Sequence, residues 1–178
     1  EVEEFYAKKI DPNDQEPISY GLNSKLVRSN GALKEQVYRV GGLYSEAIEQ
    51  IVYWLKKART VAESENQRRG FDLLIKYYET GSLETWDDYS IQWVQTTGDV
   101  LDYINGFIEV YGDAIGSRAT YESIIQMKDF EASKRMAKLQ ENVQWFEDHS
   151  MIADEHKKEN VKGVTYNVVN VIVESGDA

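Results

Sequence analysis

The feature that most constrains the fold is a change of hydrophobic period near Gly98. Before it, apolar residues recur at steps of three and four. After it, Val100 to Tyr111 alternates, with Ile104, Gly106, Ile108 and Val110 set against Tyr103, Asn105, Phe107, Glu109 and Tyr111. Steps of three and four place side chains on one face of a helix, and steps of two place them on one face of a strand. Helix runs and strand runs without strict strand–helix–strand alternation predict an α+β fold. At 178 residues the chain suits a single domain.

The segments follow from the same pattern. Residues 1–10 read as a short helix stopped by Asp11-Pro12, and 11–19, with both prolines, as a loop. Ser29-Asn30-Gly31, flanked by Leu26, Val27, Leu33 and Val37, is a type I′ turn signal that predicts a hairpin or an extended arm over Ser24–Val40, and Gly41-Gly42 then breaks the chain. Tyr44, Ile48, Ile51, Val52 and Leu55 predict one helix, and Phe71, Leu74, Ile75 and Tyr78 a second ended by Gly81. A third starts at the Ser82 cap, shows Leu83, Trp86, Trp93 and Val94, and ends at Gly98. After the alternating strand come a turn at 112–116, a strand over Arg118–Met127, a helix over Asp129–Glu147 and a valine-rich strand over Val161–Glu174.

Charge and missing residue types exclude several functions. Thirty-one acidic against 20 basic residues leave a net charge of −11, which opposes binding to nucleic acid or to an anionic membrane. The chain has no cysteine, so it has no disulfide, thiolate metal site or cysteine nucleophile, and it suits a reducing compartment such as the cytoplasm. No run of 18 apolar residues is present. The first residue is Glu1 rather than Met, from which we expect the natural N-terminus, and any targeting signal, to lie outside the sequence. Serine-hydrolase, phosphate-loop, dinucleotide and HExxH zinc motifs are missing. His149 and His156, with Asp148, Asp154 and Glu155 nearby, read as a solvated helix end and loop rather than a metal site. Asp87-Asp88, the Glu1, Glu3, Glu4 cluster and the basic pairs Lys56-Lys57, Arg68-Arg69 and Lys157-Lys158 read as surface. Trp54, Trp86, Trp93 and Trp145 read as core.

One constellation carries chemistry. Glu109 and Tyr111, two apart, share a strand face, and Ile104, Ile108 and Val110 form the opposite face, expected to be buried. A hairpin folded at 112–117 sets Glu109 opposite Glu122. Like charges directly across a ladder repel, so the pair suits a cation held between them, such as a substrate ammonium. Tyr111 could donate a hydrogen bond to a developing oxyanion. The alternative is a solvated acidic sheet face with a packed tyrosine, and a register shift of two leaves the pair diagonal.

The stretch Asn105-Gly106-Phe107-Ile108-Glu109-Val110-Tyr111-Gly112-Asp113-Ala114-Ile115-Gly116 resembles the signature region of the dipeptidyl peptidase III family of zinc metallopeptidases, close to GF-I-E-x-Y-x-D-P-x-G. Ser19–Ser24, Val40–Tyr44, Ile51–Leu55, Gln144–Ser150 and Val161–Val164 also resemble bacterial members, so the likeness extends over essentially the whole chain. Ala114 departs from the usual proline, which loosens the turn without removing a functional group. The resemblance implies removal of dipeptides from the N-termini of short peptides by an enzyme of two lobes. One lobe holds zinc through a His-Glu-x-x-Gly-His helix, and the other is a barrel-like antiparallel sheet with helices packed around it. This chain matches the N-terminal part of the second lobe and stops before the zinc helix. It is therefore expected to be a fragment, holding no metal itself and inactive without the zinc lobe. By the same resemblance Glu109 and Glu122 bind the substrate ammonium and Tyr111 supports the transition state. A non-catalytic module of the same fold, and a hydrolase using paired carboxylates in the manner of a glycosidase, are the competing readings.

Overall fold

The computed structural model describes residues 1–162 and 167–176. Its secondary structure is α+β, and the chain divides into two compact units. The first comprises residues 1–99 and 105–123 with Ser175 and Gly176. The second comprises 100–104 and the described part of 124–174.

In the first unit, helix α1 (Val2–Ala7) buries Tyr6, whose hydroxyl lies 3.2 Å from Ser24 Oγ. Strands β1 (Ser24–Ser29) and β2 (Ala32–Val37) then form the expected hairpin, with Leu26 opposite Glu35 and Arg28 opposite Leu33. Asn30 and Gly31 both have positive φ, 51° and 81°, as a type I′ turn requires. Helix α2 (Ser45–Arg59) buries Ile48, Val52 and Leu55. Helix α3 (Glu65–Thr80) starts earlier than the apolar pattern suggested, because Ser64 caps it by accepting a hydrogen bond from Gln67 N–H. Gly81 ends it in the left-handed region, φ 74°, its N–H donating to Tyr77 C=O at 2.7 Å. Helix α4 (Leu83–Val94) is capped by Ser82 as expected. Helix α3 packs against both α2 and α4, and Ile48, Leu74, Tyr77 and Tyr78 are almost completely buried.

Several expectations need correction. Helix α4 ends at Val94, not Gly98, and it buries Thr85, Tyr89 and Gln92, while Val94 is exposed. Its inward stripe contains two polar residues, which an apolar count passes over. Trp54 and Trp145 are exposed rather than core: Trp54 lies off the α2 stripe set by Ile48, Val52 and Leu55, and Trp145 sits on a short helix with no buried residue. The helix expected over Asp129–Glu147 is two, α5 (Phe130–Glu141) and α6 (Val143–Asp148). Asn142 interrupts them with φ −112° and ψ 14°, its side-chain amide donating to Lys138 C=O at 2.7 Å. A short polar side chain competes in this way with the helical backbone pattern.

Strands β3 (Leu101–Phe107), β4 (Tyr121–Lys128) and β5 (Val169–Ser175) form a three-stranded sheet in that order, with β4 in the middle. Among the described residues neither this sheet nor the hairpin β1-β2 closes into a barrel. The expected strand over Val161–Glu174 is strand only from Val169, and residues 163–166 lie outside the described residues. No described helix is long and apolar enough to cross a membrane.

Two contacts fix the ends of β3 and β4 within the first unit. Tyr78 on α3 donates its hydroxyl hydrogen to Asn105 Oδ1 at 2.5 Å, and Asn105 Nδ2 donates to Tyr121 Oη at 2.7 Å. Beside them, Gly106 faces the Trp86 ring so closely that a Cβ there would lie 2.2 Å from its nearest carbon. Gly106→Ala therefore forces the ring or the strand to move. A loss of about 1–3 kcal/mol, the usual cost of overpacking, is expected in urea unfolding of the chain. An unchanged midpoint would show that this contact sets nothing.

Candidate functional site

The site is built at the turn end of the β3–β4 pair. β3 stops at Phe107, and the next residues do not continue its alternation. Ile108 N–H donates to Thr120 C=O at 3.1 Å, and Thr120 N–H donates to Glu109 C=O at 2.9 Å. Two residues on one side thus face one on the other, as at a β-bulge. This corrects the expected register: Glu109 faces Thr120, not Glu122. It also ends the expected face pattern. Ile104, Ile108 and Val110 are half-buried, while Phe107, on the other parity, is 6% exposed against Tyr38 and Tyr121.

The bulge still brings the two carboxyl-bearing residues to one place, through Thr120. The Thr120 hydroxyl lies 3.3 Å from Glu109 C=O and 3.3 Å from Glu122 Oε1. It has one proton, so it can serve only one of these acceptors at a time. Glu122 sits near the start of β4 and is 2% exposed. Gly176 closes over it: a Cβ at Gly176 would approach Glu122 Cγ to 2.7 Å, and its φ of 91° also favours glycine. Glu109 is half-buried. Tyr111 is 67% exposed at the start of the turn.

The turn beyond Tyr111 is organised by Asp113. Its N–H donates to Val110 C=O at 2.9 Å, and its Oδ2 accepts from Ser117 N–H at 3.2 Å, Ser117 Oγ at 3.3 Å and Arg118 N–H at 3.3 Å. The Arg118 guanidinium approaches Oδ1 at 3.6 Å. Burial pushes the Asp113 carboxyl up, but the Ser117 and Arg118 N–H groups, the Arg118 charge and the Ser117 hydroxyl outweigh it and hold it below the usual aspartate range. Neither Thr120 nor Asp113 was singled out from sequence. The available signals were a hydroxyl two residues before Glu122 on one strand face, and an aspartate followed by glycine and serine in a turn.

The histidines serve other ends. His149 stacks on Trp145 with ring centroids 4.3 Å apart, its Nδ1 2.7 Å from Trp145 C=O, and His156 lies 3.6 Å from Glu155. Among the described residues, no three or more His, Cys, Asp or Glu are grouped so that they could hold a metal ion. The zinc that the resemblance implies is placed by it on the other lobe, and no set among the described residues would hold that ion.

Residues 19–173, which include the β3–β4 pair, match the family described as Peptidase family M49. The chain belongs to peptidase family M49. Its relatives within the dipeptidyl peptidase III group include dipeptidyl peptidase 3 of Nematostella vectensis, 31% identical over 116 residues, and that of Homo sapiens, 29% identical over 98. These alignments cover 65% and 55% of this chain but only 16% and 13% of the relatives. Among solved structures, DPP III from Caldithrix abyssi superposes with a TM-score of 0.74 at 21% identity. Dipeptidyl-peptidase III from Corallococcus sp. strain EGB does so with 0.63 at 17%. Each comparison covers 98% of this chain and 32% of the other, so the chain spans about one third of the M49 structures whose fold it shares.

Because the folded Asp113 carboxyl is held low, its contribution to the turn is complete above about pH 4, the ordinary aspartate value. It is lost as pH falls through the lowered folded value. Amide exchange at Ser117 and Arg118 should therefore accelerate on acidification in the wild type. In Asp113→Asn it should be nearly independent of pH once intrinsic exchange is subtracted. Identical profiles in the two proteins would remove Asp113 from this role.

Proposed function

We propose that this chain is the peptide-binding part of a larger M49 dipeptidyl peptidase, in which Glu109 and Glu122 hold the substrate's free ammonium and Tyr111 donates a hydrogen bond to the developing oxyanion. The observation that carries the reading is the Glu122 carboxylate. It is 2% exposed, and among the described residues it has the Thr120 hydroxyl as donor and no ion-pair partner. A buried carboxylate without a cation carries a desolvation cost of several kcal/mol, and Thr120 alone, shared with Glu109 C=O, does little to offset it. An ammonium brings a positive charge and three N–H donors, and Glu109 stands across Thr120 to share it.

The mechanism follows from this anchor. Gripping the amine fixes the peptide's first residue, which sets the register of the remaining chain against the bond to be cut. A product of constant two-residue length results. Tyr111, 67% exposed on a turn braced by Asp113, would stabilise charge that appears only in the transition state. The zinc chemistry of the implied reaction belongs to polypeptide beyond this chain, as do the remaining strands of the barrel-like lobe to which these two small sheets contribute. This part alone is then inactive. The family membership and the threefold greater length of the solved M49 chains support that view.

In the full-length parent enzyme, Tyr111→Phe should lower kcat about 10²-fold, the scale of one lost oxyanion donor, with little change in KM. Glu122→Gln should raise KM for free-amine substrates about tenfold or more, the scale of one charged hydrogen bond. Wild-type kcat in the first and wild-type KM in the second would show that these roles are wrongly assigned.

A further inference from the structure

Tyr121 precedes Glu122 on β4, so its ring points to the opposite face of the sheet. There it lines a cavity of about 550 Å³ between α2 and the end of the β3–β4 pair, within the first unit. One wall is aromatic: the rings of Tyr44, Tyr38, Phe107 and Tyr121 follow one another with centroids 5.2, 4.8 and 5.7 Å apart. The other wall is Ile48 and Ile51 of α2. Tyr38, Ile48 and Phe107 are almost wholly buried, and Tyr44 is exposed. A volume of this size matches a small-molecule pocket, which is mostly apolar with a few polar groups that orient the ligand.

The charged group in the lining is Arg118. Its guanidinium approaches Asp113 Oδ1 at 3.6 Å, and its positive charge acts against the rise that burial gives the Tyr38 phenol. The charge of Asp113 is already engaged by Ser117 and by the Arg118 N–H. A guanidinium carries five N–H donors in a planar fork suited to a carboxylate, so these contacts leave capacity for an anion. On a chain of net charge −11 most of the surface repels anions, which makes a cation beside an aromatic wall a selective position for one.

We infer that this cavity binds a small carboxylate carrying a branched or aromatic apolar group, with the apolar body against Phe107 and Tyr38 and the carboxylate on Arg118. This is the chemistry of the C-terminal end of a short peptide with an apolar last residue. The inference does not depend on the roles given to Glu109, Glu122 and Tyr111.

Calorimetric titration of the 178-residue chain with 3-phenylpropanoate, 3-phenylpropan-1-ol and acetate separates the two halves of the ligand. Saturable one-to-one binding of 3-phenylpropanoate is expected, at least tenfold tighter than the alcohol, with acetate weaker than either. Arg118→Gln should abolish the preference for the acid. Ala47→Phe, at an exposed α2 position on the cavity rim, should weaken acid and alcohol alike by tenfold or more. Should Arg118→Gln fail to fold, Arg118→Lys keeps the charge without the fork and should reduce the preference for the acid. The inference is overturned if the alcohol binds as tightly as the acid, which would mark a purely apolar pocket, if Ala47→Phe leaves binding intact, or if no saturable binding occurs.

Discussion

The contact on which the rest depends is the meeting of α3 and α4 with the ends of β3 and β4. Tyr78 reaches Asn105, Asn105 reaches Tyr121, and the Trp86 ring lies directly on Gly106. Buried polar groups must be satisfied, and here each hydrogen bond joins a different element. A helix pair can tolerate small slides, but this arrangement holds only one register of the strands against the helices. The Glu109–Glu122 region is the continuation of those same strands, so its geometry is inherited from a core several residues away.

From that anchor the bulge at Ile108 and Glu109 does the positioning. It takes Glu109 out of direct opposition to Glu122 and sets it opposite Thr120, whose hydroxyl lies 3.3 Å from the Glu109 backbone C=O and 3.3 Å from Glu122 Oε1. Among the described residues the Thr120 hydroxyl is the donor to this buried acid. Asp113 then ties the following turn to itself through Ser117 and Arg118, so that an exposed tyrosine stands on a braced loop. Arg118 contributes on the other side of the strand as well, where it meets the aromatic cavity.

Much of the fold was legible because local chemistry decided it. Asn30-Gly31 specified its turn through two positive φ values, Ser82 and Gly81 marked helix ends, and the α2 stripe was plain. What was not legible depended on tertiary partners. Thr85 and Gln92 are buried polar residues on α4, and Asn142 breaks a helix that its flanking apolar residues would continue. Trp54 and Trp145 are large apolar side chains left outside. The site followed the same rule. Residue types and their closeness along the hairpin could be read, but hairpin arithmetic assumes regular pairing and cannot see a bulge, so Thr120 went unnoticed. The wider assignment came from a motif likeness, and membership of family M49 agrees with it.

The most direct test of the central claim is a crystal structure of the chain with a free-amine tripeptide bound. The peptide's ammonium nitrogen is expected within about 2.7–3.2 Å of carboxylate oxygens of both Glu109 and Glu122, with Tyr111 facing the peptide. A tripeptide bound with its amine in solvent, or away from these two side chains, would contradict the claim.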